Sequence, residues 1–269
     1  MSLFQHNFFD EYPHKCELVF MILLAFISIT IYQIVPNLDL VVSDYFFNFD
    51  TQTWFINEDT NIFAKVHSQV FSKYLYLFIA VLLGLIFIYS FFDKDIKRKR
   101  NKLLFYLIAF GLSPVIFTAV SKYYYQRPRP YIIQQYNPDY QQQNQQNQQN
   151  QQNQSQSKNQ NTKHIFEYVP AFETSKQCEI HNCSGRDTKS FFSGHTSRMA
   201  AFIIFIWFLT GSARFIAYNI FYALLLLTMF FRISTGNHFL SDCLVSFYIT
   251  YFSIWLIQFI FYKFNINIK

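Results

Sequence analysis

Five or six stretches of this chain are long and apolar enough to cross a lipid bilayer, and that limits its fold more than any other feature. A bilayer core takes roughly 20 predominantly apolar residues per helix. Residues 18–35, 74–92, 103–120, 196–210, 215–231 and 244–261 qualify, which makes six spans; the fourth is the shortest and is long enough only if its helix begins near Ser193. Of the 269 residues 52% are hydrophobic, 21% aromatic and only 14% charged, which excludes a soluble domain of this length. The expected fold is all-α: a polytopic membrane protein with six transmembrane helices, formed as one domain over residues 1–269.

The loops between the spans predict the orientation. The first span lacks a small-residue cleavage site and runs directly into Tyr32-Gln33-Ile34-Val35-Pro36, so it is expected to stay as a membrane helix rather than leave as a signal peptide. The turn 93–102 carries six Lys/Arg against two Asp and is expected to stay cytoplasmic, with both termini on that side. The loop 36–73 holds Asp39, Asp44, Asp50, Glu58 and Asp59 against Lys65 and Lys73, as an external loop should. Net charge is +6, but six of the 22 basic residues lie in that one turn and no recognition-helix or single-strand pattern is present. Topology therefore accounts for the charge, with contact to anionic lipid as a minor addition, and no nucleic-acid partner is expected.

Three polar clusters sit at the ends of apolar spans: 122–130 (KYYYQRPRP), Ser193-Gly194-His195, and 232–242 (RISTGNHFLSD). Lys122 closes span three, Ser193 opens span four and Arg232 follows span five, so the predicted topology puts all three on the external face. They are free to converge. From Ser193 to Thr210 and from Arg214 to Phe231 are 18 residues each, or about 27 Å of helix at about 1.5 Å per residue, so the chain crosses and returns to the same level.

Each cluster has a functional and a plain reading. Pro128 and Pro130 push Arg127 and Arg129 out of helical geometry, so Lys122 ends a helix while Arg129 projects from a stiff turn. Two cations then face one small volume; a basic interfacial anchor with Tyr123, Tyr124 and Tyr125 is the plain alternative. Ser193 is placed near a helix N-cap, where free N–H groups and the helix dipole favour an anion, and Gly194 lets backbone approach a phosphate. A capping serine beside an interfacial histidine is the alternative there. His238 and Asp242 are four apart, one helical turn, so the carboxylate can accept from one imidazole nitrogen and leave the other free to attack. Arg232 can add a bidentate phosphate contact across the Gly236 turn. Taken together, two histidines, three cations and an orienting carboxylate are the parts of a phosphoryl transfer through a phosphohistidine. No carboxylate cluster suggests a metal, and no cofactor is expected.

Residues 141–162 form a Gln/Asn-rich insertion in the external loop that cannot repay the entropy of ordering, and it is expected to be disordered. Cys178 and Cys183 flank a short segment of the same loop, where a local disulfide is one reading if that side is oxidising and two free thiols are the other. Cys16 and Cys243 border opposite faces and cannot pair within one chain. Asn153 and Asn182 head glycosylation tripeptides, which matter only on a eukaryotic secretory route.

These residues resemble the type 2 phosphatidic acid phosphatase superfamily (PAP2), whose signatures read K-x6-R-P, P-S-G-H and S-R-x5-H-x3-D. Here they stand as Lys122 with Arg129-Pro130, as Ser193-Gly194-His195, and as Arg232, His238 and Asp242, with the internal spacings intact. Phe192 replaces the usual Pro and Phe231 the usual Ser, departures that bear on loop geometry. The resemblance covers roughly residues 74–261 and implies the family's six-helix core. Residues 39–55 and 238–242 also look like bacterial members, including enzymes that remove phosphate from lipid A.

The resemblance implies a mechanism and a setting. His238 attacks phosphorus while Asp242 holds its ring, and His195 protonates the leaving oxygen. Lys122, Arg129, Arg232, Ser193 and the Gly194 amide surround the phosphoryl oxygens, with no metal. The expected enzyme is a membrane lipid phosphatase acting on a lipid A-type headgroup, in a bacterial inner membrane with its site facing the periplasm. Phosphatidylglycerol phosphate and undecaprenyl diphosphate are the alternative substrates, and a non-catalytic lipid-binding relative is the alternative class. Oligomeric state is left open.

Overall fold

The computed structural model describes residues 15–97, 99–136, 166–175 and 188–264. The Gln/Asn-rich insertion, Cys178, Cys183 and both glycosylation tripeptides lie outside the described residues.

Among the described residues, five helices are long and apolar enough to cross a membrane. Helix α1 is Lys15–Ile34, and α2 (Leu38–Phe46) follows it after the Pro36 turn. A two-residue hairpin, β1 (Phe47–Asn48) against β2 (Thr53–Trp54), is paired antiparallel with Phe47 opposite Trp54. Helix α3 runs Ile62–Tyr89, with Asn61 as N-cap and a π-helical stretch at His67–Leu75. Helix α4 is built from Arg100–Tyr106, a π-helical stretch Leu107–Leu112 and Ser113–Tyr125. Short helices α5 (Gly194–Ala201) and α6 (Ile203–Ile206) follow, and then the long α7 (Gly211–Ser234) and α8 (Leu240–Lys263). The molecule is an all-α polytopic membrane protein, and what was expected as a loop over 36–73 is an ordered helix, hairpin and helix start.

The expected fourth span is not a single long helix. It is the α5–α6 pair, divided at Phe202, and neither piece reaches membrane-spanning length by itself. The burial pattern gives the reason. Met199, Ala200, Ala201, Ile203, Ile204, Ile206 and Trp207 are all buried in the main core with residues of α4, α7 and α8. This segment is walled by protein, so it needs small, closely packed residues more than length.

The outer helices show the opposite pattern. Phe20, Phe26, Leu77, Phe78 and Leu226 are exposed, as lipid-facing side chains are. Inside, Ser113 and Ser253 pair their hydroxyls across α4 and α8 at 2.6 Å, and Tyr76 donates to the carbonyls of Phe110 and Gly111 at 2.8 Å. The tyrosine satisfies carbonyls left irregular by the π-helical stretch of α4, which is how a broken helix is tolerated in an apolar setting.

Candidate active site

The third cluster is held in a tight turn. Gly236, at φ +66°, occupies a left-handed position that favours glycine. A Cβ there would lie 2.2 Å from Trp54 Cε2, so the hairpin packs directly onto the turn. The backbone N–H groups of Asn237 and His238 both donate to the carbonyl of Arg232 at 3.1 Å, closing the loop between α7 and α8. One expectation is corrected here. His238 and Asp242 do not share a helix face, because His238 precedes the N-cap Phe239 and Asp242 lies in the first turn of α8. Their approach comes from the cap: Asp242 Oδ2 accepts the Phe239 N–H at 2.9 Å. His238 Nδ1 lies 3.5 Å from the same oxygen.

Asp242 is fully buried and heavily engaged. It accepts from Arg127 Nη1 at 2.6 Å and from the Ser190 hydroxyl. Arg127 also reaches Asp39 on α2 through Nη2 at 2.7 Å, the Ser241 hydroxyl at 2.8 Å and the Val169 carbonyl at 2.7 Å. Its guanidinium stacks 4.2 Å above the Phe239 ring. Asp39 in turn accepts from Tyr32 Oη at 2.8 Å, the Ser241 N–H at 2.9 Å and the Ser241 hydroxyl. One buried cation therefore joins two buried carboxylates, and every charged oxygen has a donor, the condition under which such a network is tolerated.

The second cluster docks onto this frame. Ser193 caps α5, its hydroxyl accepting from the Thr196 N–H at 3.4 Å and hydroxyl at 3.0 Å, and its own N–H donates to the Asp242 carbonyl at 3.3 Å. Next to it a Cβ on Gly194 would meet Arg198 Nη2 at 3.4 Å and Lys122 Nζ at 4.0 Å, so the ammonium of the first cluster lies over the second. His195 is partly exposed and feels the charges of Arg232, Arg198 and Lys122 and the ring of His238. Phe192, standing where the signature has proline, donates its N–H to Ser121 Oγ at 3.2 Å, a bond proline has no hydrogen to make. Phe231, in place of serine, packs its ring 5.3 Å from that of His67.

The first cluster ends as its prolines predict. Helix α4 stops at Tyr125, Gln126 is left-handed at φ 47°, and Arg129 is extended at φ −80°, ψ 154°. Arg129 Nη1 donates to Asn237 Oδ1 at 2.9 Å. Arg232 is buried, and its Nη1 donates to both Glu58 oxygens at 3.0 and 3.1 Å. Burial first, and then the charges of Arg129, Arg232 and Lys122, hold the His238 imidazole well below the usual histidine range, opposed by the nearby Ser190 backbone. The ring lies with Nδ1 toward the Asp242 carboxylate and three cations around it.

All eight sequence-predicted residues, His238, His195, Asp242, Lys122, Arg129, Arg232, Ser193 and Gly194, come together at one end of the helices. Arg127, Asp39, Ser190, Glu58, Asn237 and Arg198 join them and were not singled out as site residues from sequence. Arg127 lies inside the first cluster, and its buried partners are what distinguish it from Arg129. Arg198 stands one turn after Gly194, whose carbonyl accepts from its Nε at 2.8 Å. Asp39 and Glu58 were visible only as part of an acidic loop.

Among known proteins, the chain is similar to a lipid A 4'-phosphatase from Francisella tularensis subsp. novicida (strain U112), 23% identical over 252 residues, covering 93% of this chain and 97% of that protein. No solved structure matches. Residues 101–266 match the family model described as the PAP2 superfamily, and that stretch holds all three polar clusters of the site. With more than half its length so matched, the chain belongs to the PAP2 superfamily.

Proposed function

We propose that this integral membrane protein is a metal-independent lipid phosphatase that removes a phosphate from a lipid A-type headgroup through a phosphohistidine. The observation that carries the reading is the buried His238 ring, 3.5 Å from Asp242 and under the combined charges of Lys122, Arg129 and Arg232. A neutral imidazole is a nucleophile, and cations fixed around it stabilise a phosphoryl group in transit. The Francisella relative, alike over nearly its whole length, favours lipid A as the substrate class.

In the first half-reaction Nδ1–H is directed at Asp242, and the Nε2 lone pair attacks phosphorus. The bond from phosphorus to the lipid oxygen breaks, and that oxygen takes its electron pair and a proton from His195. In the second, water gives a proton to His195 while its oxygen bonds phosphorus. The N–P bond breaks, its electrons return to Nε2, and inorganic phosphate leaves. Lys122, Arg129, Arg232, Ser193 and the Gly194 amide hold the phosphoryl oxygens throughout.

The basic turn at 93–102 and the acidic 36–73 segment favour a cytoplasmic side for the former and an external side for the site, which in a bacterial inner membrane is the periplasmic face. The test is phosphate release by detergent-purified protein in chelator, offered lipid A, phosphatidylglycerol phosphate, phosphatidic acid and undecaprenyl diphosphate. Release from lipid A that is lost in His238→Ala is expected. Turnover surviving in His238→Ala ends the phosphohistidine reading, and preference for another lipid replaces the substrate.

A further inference from the structure

Glu58 sits outside every family signature, on the turn between β2 and α3, yet it is the anion that meets the proposed phosphate-binding cations. Its two oxygens receive Arg232 Nη1 at 3.0 and 3.1 Å. Oε2 also accepts from Asn237 Nδ2 at 3.0 Å, while the Oδ1 of that same amide accepts from Arg129 Nη1 at 2.9 Å. One carboxylate thus reaches both guanidiniums, one directly and one through Asn237. Its own place is fixed: Ser68 Oγ donates to Oε1 at 2.7 Å, and the Ile56 N–H pins the turn to the Ser234 carbonyl at 3.2 Å.

The edge of Arg232 that Glu58 leaves alone is the informative one. Arg232 Nε is buried and has no hydrogen-bond partner among the described residues. A buried donor without an acceptor is costly, so such an edge is kept where something else fills it. Anchoring a guanidinium by one nitrogen removes the freedom of a long side chain and aims the remaining donors.

We propose that Glu58 is a positioning residue for phosphoryl transfer: it holds Arg232 by Nη1, and is joined to Arg129 by way of Asn237, so that the Nε edge of Arg232 faces the phosphoryl oxygens beside His238. This rests on the phosphatase reading above. It differs from the opposite role that the same contacts allow, a carboxylate that occupies Arg232 and must be displaced by phosphate.

The two roles predict opposite signs in Glu58→Ala and Glu58→Gln of the purified full chain. As a positioning residue, Glu58→Ala lowers kcat roughly 10- to 100-fold, the usual scale for groups that orient a reacting shell, while KM moves much less. Inhibition by orthovanadate, which mimics the five-coordinate phosphorus, weakens in parallel. Glu58→Gln keeps one acceptor for Nη1 and recovers part of the loss, and it carries the test if the alanine variant does not fold. Unchanged kcat and vanadate inhibition, or tighter vanadate, overturns the proposal while the phosphatase stands. If the wild type releases phosphate from no lipid, the phosphatase reading fails, and thermal melts with vanadate still decide this one. Protection of the wild type that is lost in Glu58→Ala supports it, and equal protection overturns it.

Discussion

Replacing Asp39 with alanine is expected to destabilise the protein severely although Asp39 lies on α2, outside the matched family segment. Asp39 is fully buried and accepts from Arg127, Tyr32, the Ser241 N–H and the Ser241 hydroxyl. Removing one member of a buried ion pair costs roughly 3–5 kcal/mol, because the partner keeps its desolvation cost without compensation. At about 2–4 °C per kcal/mol for a chain of this size, the midpoint of thermal unfolding drops by about 6–20 °C. Arg127→Ala should cost more, since it leaves two carboxylates, Asp39 and Asp242, buried without their shared cation. Asp39→Asn keeps the shape and one acceptor and should fall between wild type and alanine. The assay is a thermal melt of detergent-purified variants, with phosphate release on the folded fraction. A midpoint for Asp39→Ala within about 2 °C of wild type, a change of about 1 kcal/mol or less, would refute the argument that the Arg127 network holds the site together.

Other perturbations follow from the same geometry. Gly236→Ala sets a methyl against the Trp54 ring at a left-handed position, so activity and melting temperature should both fall; Trp54→Ala in the same chain should restore part of each, since it relieves the clash and leaves only the backbone strain. Gly194→Ala meets only side-chain atoms at 3.4 Å or more, so its melt should stay near wild type while KM for the lipid rises about tenfold as the amide loses its approach to phosphate. His238 is held below its ordinary value, so between that lowered value and about 6.5 the unfolded chain binds a proton that the folded one does not. This group's contribution to stability is therefore present above about 6.5 and is lost as pH falls below it, by at most about 1.4 kcal/mol per pH unit. Melts of wild type and His238→Gln from pH 7 to 5 should converge, and parallel curves would contradict the buried neutral ring.

How much of this was legible in the sequence depended on how local each signal is. Apolar length is a property of a continuous segment, so the long membrane helices could be read directly. The α5–α6 segment was the exception. Its surroundings are protein rather than lipid, and small residues such as Ala200 and Ala201 serve close packing there at the expense of span length. The candidate site residues were recognisable because each cluster keeps a fixed internal spacing at a span end, where prolines, a capping serine and a left-handed glycine set local geometry.

Partnership between distant segments left no such trace. Asp39 and Glu58 counted equally with Asp44, Asp50 and Asp59 as external charge, and nothing in their spacing separates the two that meet the arginines of the site from Asp44, which pairs with Gln135 and Tyr136. Arg127 and Arg129 are two residues apart in one Pro-rich turn, yet the former is buried between two carboxylates and the latter reaches Asn237. By itself the sequence determined the class of fold, the long membrane helices and the residues of the three polar clusters, because hydrophobic length and turn chemistry act over a few residues; it did not determine the broken α5–α6 segment. Only the tertiary structure decided which carboxylate meets which cation, because burial and charge pairing are settled by segments that come together after the helices pack.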